Sequence, residues 1–323
     1  MHVVVTGAAG FIGSHTCEQL VARGHRVTGI DSFDGYLYPA AVKRATAREL
    51  AALPASRFAL HERDITDPAH VAATIDDGTD VVCHLAALAG VRPSLVEPLR
   101  YLRTNVEGTG VILERMRAVG VRRMVFASSS SVYGAKHGAV EAFREDDPCL
   151  TLASPYAATK RMNELQLSTY RDLYEIGVFA LRFFTVYGPR QRPEMAIAKF
   201  TRAIAAGEPI TLFGDGTSRR DYTFIDDIVA GVVAAVERVE PARYELINLG
   251  GTQTTSLAEL VAMIEETVGR RAVIDRQPDQ PGDVPLTFAS IARARALLDF
   301  QPTTAPAAGI ASYWAWLQRR PIA

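Results

Sequence analysis

The chain has 323 residues, and its 35 lysines and arginines nearly balance its 36 aspartates and glutamates, so the formal net charge is −1. A chain this close to neutral lacks the basic footprint with which proteins bind nucleic acid or an anionic membrane, and we expect neither partner. Its hydrophobic content of 48% excludes a disordered or collagen-like chain and predicts a globular protein.

The cysteines and the first residues indicate the compartment. Cys17, Cys83 and Cys149 are odd in number and far apart, so they do not form a disulfide framework, and no C-x-x-C pair points to zinc or redox chemistry. The opening MHVVVTGAAG has no basic region followed by a long apolar stretch and a cleavage site, and no run is long enough to span a bilayer. We therefore expect a cytoplasmic protein.

Short apolar runs alternate with longer segments of helical periodicity through the first half of the chain. An apolar run at 2–6, a helix over about 12–23 and a second run at 26–30 predict a β-α-β unit. Further runs at 58–61, 80–84, 122–127 and 178–183 predict parallel strands buried on both faces. This order predicts an α/β fold with a doubly wound, Rossmann-like parallel sheet, which binds ligands at the carboxyl ends of its strands.

After about residue 184 the alternation loosens, and Gly and Pro cluster between shorter helices. We predict a dinucleotide-binding domain over 1–183 and a smaller α/β domain over 184–323 that covers the sheet. The buried run ELINLG at 245–250 indicates that 224–250 returns to the first domain, before helices near 256–268 and 304–320.

The segment TGAAGFIG predicts a dinucleotide site. Gly7, Gly10 and Gly13 lie at the turn between the first strand and the first helix, where a side chain would keep the backbone away from a pyrophosphate. An ordinary tight turn also uses glycine, so the triplet alone is weak. Asp31 ends the second strand, where its carboxylate can bind the adenosine ribose and would repel a 2′-phosphate. Together these residues favour NAD over NADP.

Two further strand ends are candidates for the adenosine part of the cofactor. Asp64 and Ile65 follow the third strand, and Leu85, Ala86 and Ala87 follow the fourth. They suit the adenine edge and a closely packed ribose. Capping of a loop and packing in the core explain them equally well.

The segment SPYAATK carries the clearest catalytic pattern. Tyr156 and Lys160 are four residues apart on a helix that Ser154 and Pro155 would start, so both side chains face the same way. A phenol is a poor base near neutral pH unless a neighbouring ammonium stabilises the phenolate. We predict Tyr156 as the catalytic base, and Lys160 as the charge that supports it and binds the nicotinamide ribose.

The serine run FASSSSVYG follows the fifth strand, so it lies at the same edge of the sheet. We predict that the Ser129 hydroxyl bridges a substrate oxygen and Tyr156, although a solvated loop is the simpler explanation of four serines. The seven histidines have no metal-binding spacing, so no metal is expected, and no serine lies in a G-x-S-x-G elbow. Metalloenzyme and hydrolase functions therefore have no support.

These segments resemble the extended short-chain dehydrogenase/reductase family of NAD-dependent epimerases and dehydratases. The resemblance covers nearly the whole chain, because it also includes HLAALAGVR, RFFTVYGP, SRRDYTFIDD and PGDVP. HLAALAGVRPS and RFFTVYGPRQRPEMAIAKF are similar to the UDP-glucuronate 4-epimerases of that family rather than to its UDP-glucose 4-epimerases. One departure is Ser32 after Asp31, where the family usually has Asn.

The resemblance implies roles for further residues. Those implied for the cofactor are Phe11, Ile12, Ser32, Lys43, Asn105, Phe183 and Val186. Those implied for a UDP-sugar are Arg92, Ser130, Ser131, Thr185, Arg192, Ala196, Lys199, Phe200, Arg220, Gln280 and Asp283. Thr185 and Arg220 would bind the diphosphate, Lys199 the uracil region, and Gln280 and Asp283 the uridine ribose. Tyr187 lines the sugar pocket or belongs to the core.

The implied reaction is epimerisation at C4 of UDP-glucuronate. Tyr156 would take the proton of the sugar O4 while hydride passes to NAD, and hydride would return to the other face of the 4-keto sugar. Arg192, with Ser129, Ser130 and Ser131, would hold the sugar carboxylate, and a loop arginine in solvent is the alternative.

Other readings of this scaffold stay open. They are a UDP-glucose 4-epimerase, a UDP-glucuronate decarboxylase and, in a different class, a non-catalytic NAD sensor. Helices near 97–119 and 155–175 form the interface in relatives, so the resemblance also implies a homodimer.

Overall fold

The computed structural model describes residues 1–134, 142–278 and 286–320. Its strands are β1 (His2–Thr6), β2 (Arg26–Asp31), β3 (Phe58–Glu62), β4 (Val81–His84), β5 (Arg123–Ser129), β6 (Gly177–Phe183), β7 (Thr185–Tyr187), β8 (Pro209–Phe213), β9 (Arg219–Arg220), β10 (Tyr222–Phe224), β11 (Tyr244–Leu249), β12 (Thr255–Ser256), β13 (Val273–Gln277) and β14 (Leu286–Thr287).

The helices lie between these strands. They are α1 (Phe11–Ala22), α2 (Ala40–Leu50), α3 (Pro68–Ala72), α4 (Val91–Val96), α5 (Pro98–Tyr101), α6 (Gly108–Val119), α7 (Pro155–Tyr174), α8 (Ala196–Ala206), α9 (Ile225–Arg238), α10 (Leu257–Val268), α11 (Ala292–Leu298) and α12 (Pro306–Gln318). A π-helical segment, Leu102–Glu107, joins α5 to α6, and a 3-10 turn, Ser130–Tyr133, follows β5.

Within the described residues, the main sheet has seven parallel strands in the order β11-β6-β5-β4-β1-β2-β3. The direction of winding reverses between β1 and β4, which leaves a crevice at the carboxyl ends of these strands. This arrangement confirms the predicted doubly wound α/β fold, and the observed strands agree with the predicted runs to within two residues. β11 belongs to the second half of the chain and pairs with β6 of the main sheet. The domain boundaries stay a prediction.

The continuous apolar strands form the core. β1 is buried at every position, and its side chains alternate between the two faces of the sheet. Val3 and Val5 pack in a cluster with residues of α1 and α9, and Val4 packs in a second cluster with residues of α3 and α6. Both faces are covered by helices, which is why these strands lack the apolar and polar alternation of a half-exposed sheet.

A buried ion pair joins the helix that carries Tyr156 to the sheet. Arg182 on β6 donates two hydrogen bonds to Glu164 on α7, from Nε at 2.8 Å and from Nη2 at 2.9 Å. The side chains of Arg182 and Glu164 are 1% and 0% exposed. The Ser128 hydroxyl at the end of β5 donates to the same carboxylate at 2.7 Å. One buried carboxylate thus fixes α7 against two neighbouring strands.

Arg182→Met should lower the free energy of unfolding by about 3–5 kcal/mol, because it leaves the Glu164 carboxylate buried without its bidentate partner. Urea unfolding followed by circular dichroism measures this loss. The control is Arg122→Met, since Arg122 pairs with Glu175 at the surface and should cost less than about 1 kcal/mol. Equal losses in the two variants would contradict the role given to the buried pair.

Candidate active site

A cavity of about 380 Å³ opens at the carboxyl ends of the central strands, where the winding reverses. Its wall brings together the glycine turn after β1, the serine run after β5, the first turn of α7 and the loop after β7. The predicted residues that line it are Gly7, Gly10, Phe11, Ile12, Gly13, Asp31, Ser32, Lys43, Asp64, Ile65, Leu85, Ala86, Ala87, Ser129, Ser130, Ser131, Tyr156, Lys160, Phe183, Thr185, Val186 and Arg192.

The glycine turn leaves no room for side chains. Gly7 has a φ of +70°, and a Cβ added there would lie 2.9 Å from the backbone of Ala86. A Cβ on Gly13 would lie 2.1 Å from the carbonyl oxygen of Gly7. The bare backbone and the first N–H groups of α1 therefore face the cavity, which is the surface that a pyrophosphate requires.

Asp31 is held in place at the end of β2. Its buried carboxylate accepts hydrogen bonds from the backbone N–H of Ala9 at 3.2 Å and of Phe33 at 2.8 Å. The Lys43 ammonium lies 3.4 Å from it. A fixed carboxylate at this strand end suits the two hydroxyls of an adenosine ribose, so the residues present fit NAD.

Lys160 is buried below the cavity and points to the end of β5. Ser154 caps α7 by accepting a hydrogen bond from Ala157 N–H at 3.2 Å, and the helix then places Lys160 Nζ 2.7 Å from the carbonyl oxygen of Ala127. Burial lowers the pKa of Lys160 to about 7, and the charge of Glu164, one turn further along the helix, acts to raise it.

Tyr156 lies in the same wall. Its ring packs edge to face against Tyr101, with ring centroids 6.2 Å apart. Burial raises the pKa of the Tyr156 phenol, whereas the Ser129 side chain and the positive charge of Arg192 act to lower it. A phenol in this setting becomes a base only with help from these neighbours, so Tyr156 and Ser129 are placed for proton transfer.

Arg192 approaches the cavity from the loop between β7 and α8. Its Nη1 lies 3.4 Å from the Ala89 carbonyl oxygen and 3.1 Å from Glu194 Oε1, and the side chain is only 20% exposed. A planar guanidinium with the three hydroxyls of Ser129–Ser131 across the cavity is a set that can bind a carboxylate.

Six predicted residues are not brought to this wall. Asn105 is buried behind the wall. Its amide is turned away from the cavity: Oδ1 accepts a hydrogen bond from Leu88 N–H at 2.8 Å, and Nδ2 donates to Leu88 O and Thr159 Oγ1. Arg92 lies on α4 with its guanidinium 5.0 Å from the ring of Phe213. The others are Ala196, Lys199 and Phe200 on α8 and Arg220 on β9. Gln280 and Asp283 lie outside the described residues.

Sequence reasoning missed part of the wall. Tyr38 lines the cavity, and Lys43 Nζ lies 5.6 Å from the centroid of its ring. The signal was the aromatic segment SFDGYLY directly after β2. The other unpredicted lining residues are Ile30, Asp34, Leu37, Arg63, Leu88, Ala89, Gly90, Val91, Thr104, Ala127, Ser128, Phe184 and Met195.

Residues 1–134, 142–278 and 286–320 contain no group of three or more His, Cys, Asp or Glu side chains placed to hold a metal ion. No helix in the same ranges combines the length and apolar character needed to cross a membrane.

A model of the NAD dependent epimerase/dehydratase family matches residues 3–250, which include the glycine turn, the serine run and the pair of Tyr156 and Lys160. The chain belongs to this family. A family member from Rhizobium meliloti (strain 1021), named a probable UDP-glucuronate 4-epimerase, is 38% identical over 98% of this chain and 96% of its own. The uncharacterized UDP-glucose epimerase YtcB of Bacillus subtilis (strain 168) is also 38% identical, over 98% of each chain.

Among solved structures of the family, UDP-glucuronic acid 4-epimerase from Bacillus cereus in complex with UDP-glucuronic acid and NAD has a similar fold. The TM-score is 0.90, with 37% identity over 99% of each chain.

Gly13→Ala should weaken NAD binding by about tenfold or more, because the added methyl group overlaps the Gly7 carbonyl oxygen and forces the turn open. Calorimetric titration of NAD into protein from which the retained cofactor has been removed measures the change. Gly35→Ala is the matched control, since a Cβ there makes only ordinary contacts with Ala40. Unchanged NAD affinity in Gly13→Ala would argue against the glycine turn as the pyrophosphate site.

Proposed function

We propose that this protein catalyses NAD-dependent epimerisation of UDP-glucuronate to UDP-galacturonate at C4 of the sugar. The observation that carries the proposal is the position of Arg192, whose guanidinium shares one cavity with Tyr156, Lys160 and the serine run. A cation next to a proton-transfer site suits a sugar that bears a carboxylate. The Bacillus cereus epimerase with UDP-glucuronic acid and NAD is similar over 99% of each chain, which supports the same substrate.

NAD supplies the hydride acceptor and donor of this reaction. The turn at Gly7–Gly13 would bind its pyrophosphate and Asp31 its adenosine ribose, while Lys160 would hold the nicotinamide ribose. These residues line the same crevice as Tyr156, along which they would hold the cofactor. Since the reaction returns the hydride that it removes, it consumes no cofactor.

Tyr156 moves the proton of the sugar O4. In the forward half its phenolate accepts that proton, and in the return half the phenol gives the proton back to O4 while hydride adds to the other face of C4. Burial raises the pKa of the phenol and so opposes the phenolate. The Ser129 hydroxyl and the positive charge of Arg192 lower that pKa and are needed to form the base. The Ala127 carbonyl holds the Lys160 side chain near this position.

Arg192 protects the intermediate. A ketone at C4 makes the sugar a β-keto acid, in which the C5–C6 bond breaks readily if it aligns with the carbonyl. Bidentate contact from Arg192, completed by the hydroxyls of Ser129–Ser131, would hold the carboxylate away from that alignment. The clamp thus provides specificity for a uronate and suppresses loss of carbon dioxide.

A UDP-glucose 4-epimerase is the second candidate. Glu194 already pairs with Arg192 at 3.1 Å, so a neutral substituent at C5 would not leave the guanidinium without a partner. A relative named as an uncharacterized UDP-glucose epimerase is as similar as the probable uronate enzyme. Decarboxylases of the family that the sequence resembles usually carry an acidic residue in the serine run, and Ser128–Ser131 contains none, which disfavours that activity. An NAD sensor would have no use for the proton path of Tyr156.

Purified protein incubated with UDP-glucuronate and no added NAD should give a uronate of unchanged mass with inverted coupling at C4. Mass spectrometry measures the mass and proton NMR the coupling. Tyr156→Phe should keep NAD but lower turnover by about 10²- to 10⁴-fold, because the proton loses its acceptor. Tyr174→Phe, at the end of the same helix, should retain activity. Loss of 44 mass units (about one carbon dioxide) or conversion of UDP-glucose alone would assign a different substrate or reaction.

We also propose a cytoplasmic homodimer. The three cysteines are free, as expected in a reducing compartment. Val96 and Leu99 on α4 and α5 are 77% and 76% exposed, and Met162, Leu165 and Leu173 on the adjacent α7 are also exposed. Neighbouring apolar rows of this kind are typical of an interface.

In light scattering, the wild type should have the mass of two chains, and the double variant Leu99→Lys with Leu165→Lys should have the mass of one. Two lysines would place charge at the centre of the apolar surface. Val273→Lys is the control, because Val273 is exposed on β13, away from both helices. A monomeric wild type, or a double variant that stays dimeric, would contradict this interface.

A further inference from the structure

The loop between β7 and α8, residues 188–195, carries two arginines with different surroundings. Arg192 faces the cavity, whereas Arg190 points to the first two helices of the sheet domain. Arg190 donates to both carboxylate oxygens of Glu18 on α1, at 2.7 and 2.8 Å. Its Nε donates to Glu49 on α2 at 3.0 Å. One guanidinium therefore fastens the loop to two helices.

The backbone of Arg190 adopts an uncommon conformation at this attachment. Its φ is +63°, in the left-handed region that residues with a side chain rarely adopt. Strained residues of this kind persist where the surrounding contacts over-determine them, and they cluster at functional sites. Here the side chain is 12% exposed and held by two carboxylates, so the ion pairs balance the strain.

A second contact ties the same loop to the same helix. The ring of His15 on α1 donates from Nε2 to the carbonyl oxygen of Pro189 at 3.0 Å, since a carbonyl can only accept. Ser14 Oγ lies 3.4 Å from Arg190 Nη1. α1 therefore holds the two residues that follow Gly188, and its first turn also contains Gly13 of the dinucleotide site.

Arg192 has weaker support of its own. Within the described residues its guanidinium lies 3.4 Å from the Ala89 carbonyl oxygen and pairs with Glu194 in the same loop. Glu194 moves with the loop and cannot fix it. Arg202 on α8 donates to the Pro193 carbonyl oxygen at 3.5 Å, and the charged and ring contacts of residues 189–190 hold the other side of the loop. The position of Arg192 relative to Tyr156 therefore depends on both attachments.

We propose that Arg190 is a positioning residue that holds Arg192 in the cavity through its ion pairs with Glu18 and Glu49. This inference rests on the proposed uronate 4-epimerase function for its catalytic consequence. Misplacement of a binding group by about 1 Å can cost about 100-fold in rate. A loosened loop would therefore reduce the reaction of a uronate and release its carboxylate from the clamp.

The side reaction provides a specific readout. In the 4-keto uronate, an unclamped carboxylate leaves as carbon dioxide when the C5–C6 bond breaks. The bonding pair passes to the C4 carbonyl as an enolate, which then takes a proton at C5. The product is a 4-keto pentose nucleotide, lighter than the 4-keto uronate by one carbon dioxide. If hydride returns to its C4, a pentose nucleotide lighter than UDP-glucuronate by one carbon dioxide results, and if the ketone leaves, the hydride stays with the cofactor as NADH. A fold defect alone would not change the ratio of these products to epimer.

The experiment compares wild type, Arg190→Ala, Arg190→Lys and Arg23→Ala, all with bound NAD. Arg23 is the matched control, because it pairs with Glu237 at the surface near the end of α1 and does not contact the loop. Arg190→Ala should lower kcat/KM for UDP-glucuronate by about 10- to 100-fold and raise the fraction of decarboxylated product. Arg190→Lys, which keeps the charge but not the two-pronged contact, should be intermediate.

Two further measurements separate the possible outcomes. Glu18→Gln should act in the same direction, and the double variant Arg190→Ala with Glu18→Gln should be no worse than Arg190→Ala, because both changes break one contact. Hydrogen exchange should be faster in the peptide that contains residues 188–195 in Arg190→Ala but not in Arg23→Ala.

Unchanged exchange in the loop, or unchanged kcat/KM and product ratio, would overturn the proposal, as would losses that multiply in the double variant. If the wild type does not convert UDP-glucuronate, the proposed function fails instead. The exchange measurement then still decides whether Arg190 holds the loop.

Discussion

The buried carboxylate of Glu164 is the constraint on which the site depends. It accepts two hydrogen bonds from Arg182 on β6 and one from Ser128 on β5. Ser128 and Arg182 are direct neighbours in the sheet, so the helix is fixed against a defined point of two strands. The two residues on either side of Ser128 interact with α7. Lys160 donates a hydrogen bond to the Ala127 carbonyl oxygen, and the Ser129 side chain interacts with Tyr156. A pair of buried charges is costly unless hydrogen bonds offset the loss of water, and here Arg182 also donates to the Glu145 carbonyl oxygen at 3.3 Å.

The same burial sets the electrostatics of the catalytic groups. It raises the pKa of Tyr156 and lowers that of Lys160, so both groups are pushed to their neutral forms. Glu164 opposes the effect on Lys160, and Arg192 opposes the effect on Tyr156. Burial and the Lys160 charge lower the pKa of nearby His84 to about 3, so this ring stays neutral between two threonine hydroxyls. Arg192 therefore supplies the positive charge that acts to lower the pKa of the phenol.

The sequence was sufficient for the sheet and for the shared helix face of Tyr156 and Lys160. Strands buried on both faces appear as unbroken apolar runs, which locate β1 and its neighbours without knowledge of the fold. Tyr156 and Lys160 share a face because the helix repeat places residues four apart on one side. The ends of parallel strands meet at one edge, so the glycine turn, Asp31 and the serine run converge in the cavity as expected.

The sequence by itself therefore determined the elements, the glycine turn and the i,i+4 pair, since these depend on short-range periodicity and backbone geometry. Tertiary structure alone decided which motif residues reach the cavity. Asn105 is turned to Leu88 and Thr159, and Tyr187 packs in the core with its ring 5.7 Å from Phe224 rather than in the pocket. Arg190 is anchored by a carboxylate 172 positions away in the sequence. Such contacts depend on how the folded chain brings distant residues together, which no local pattern encodes.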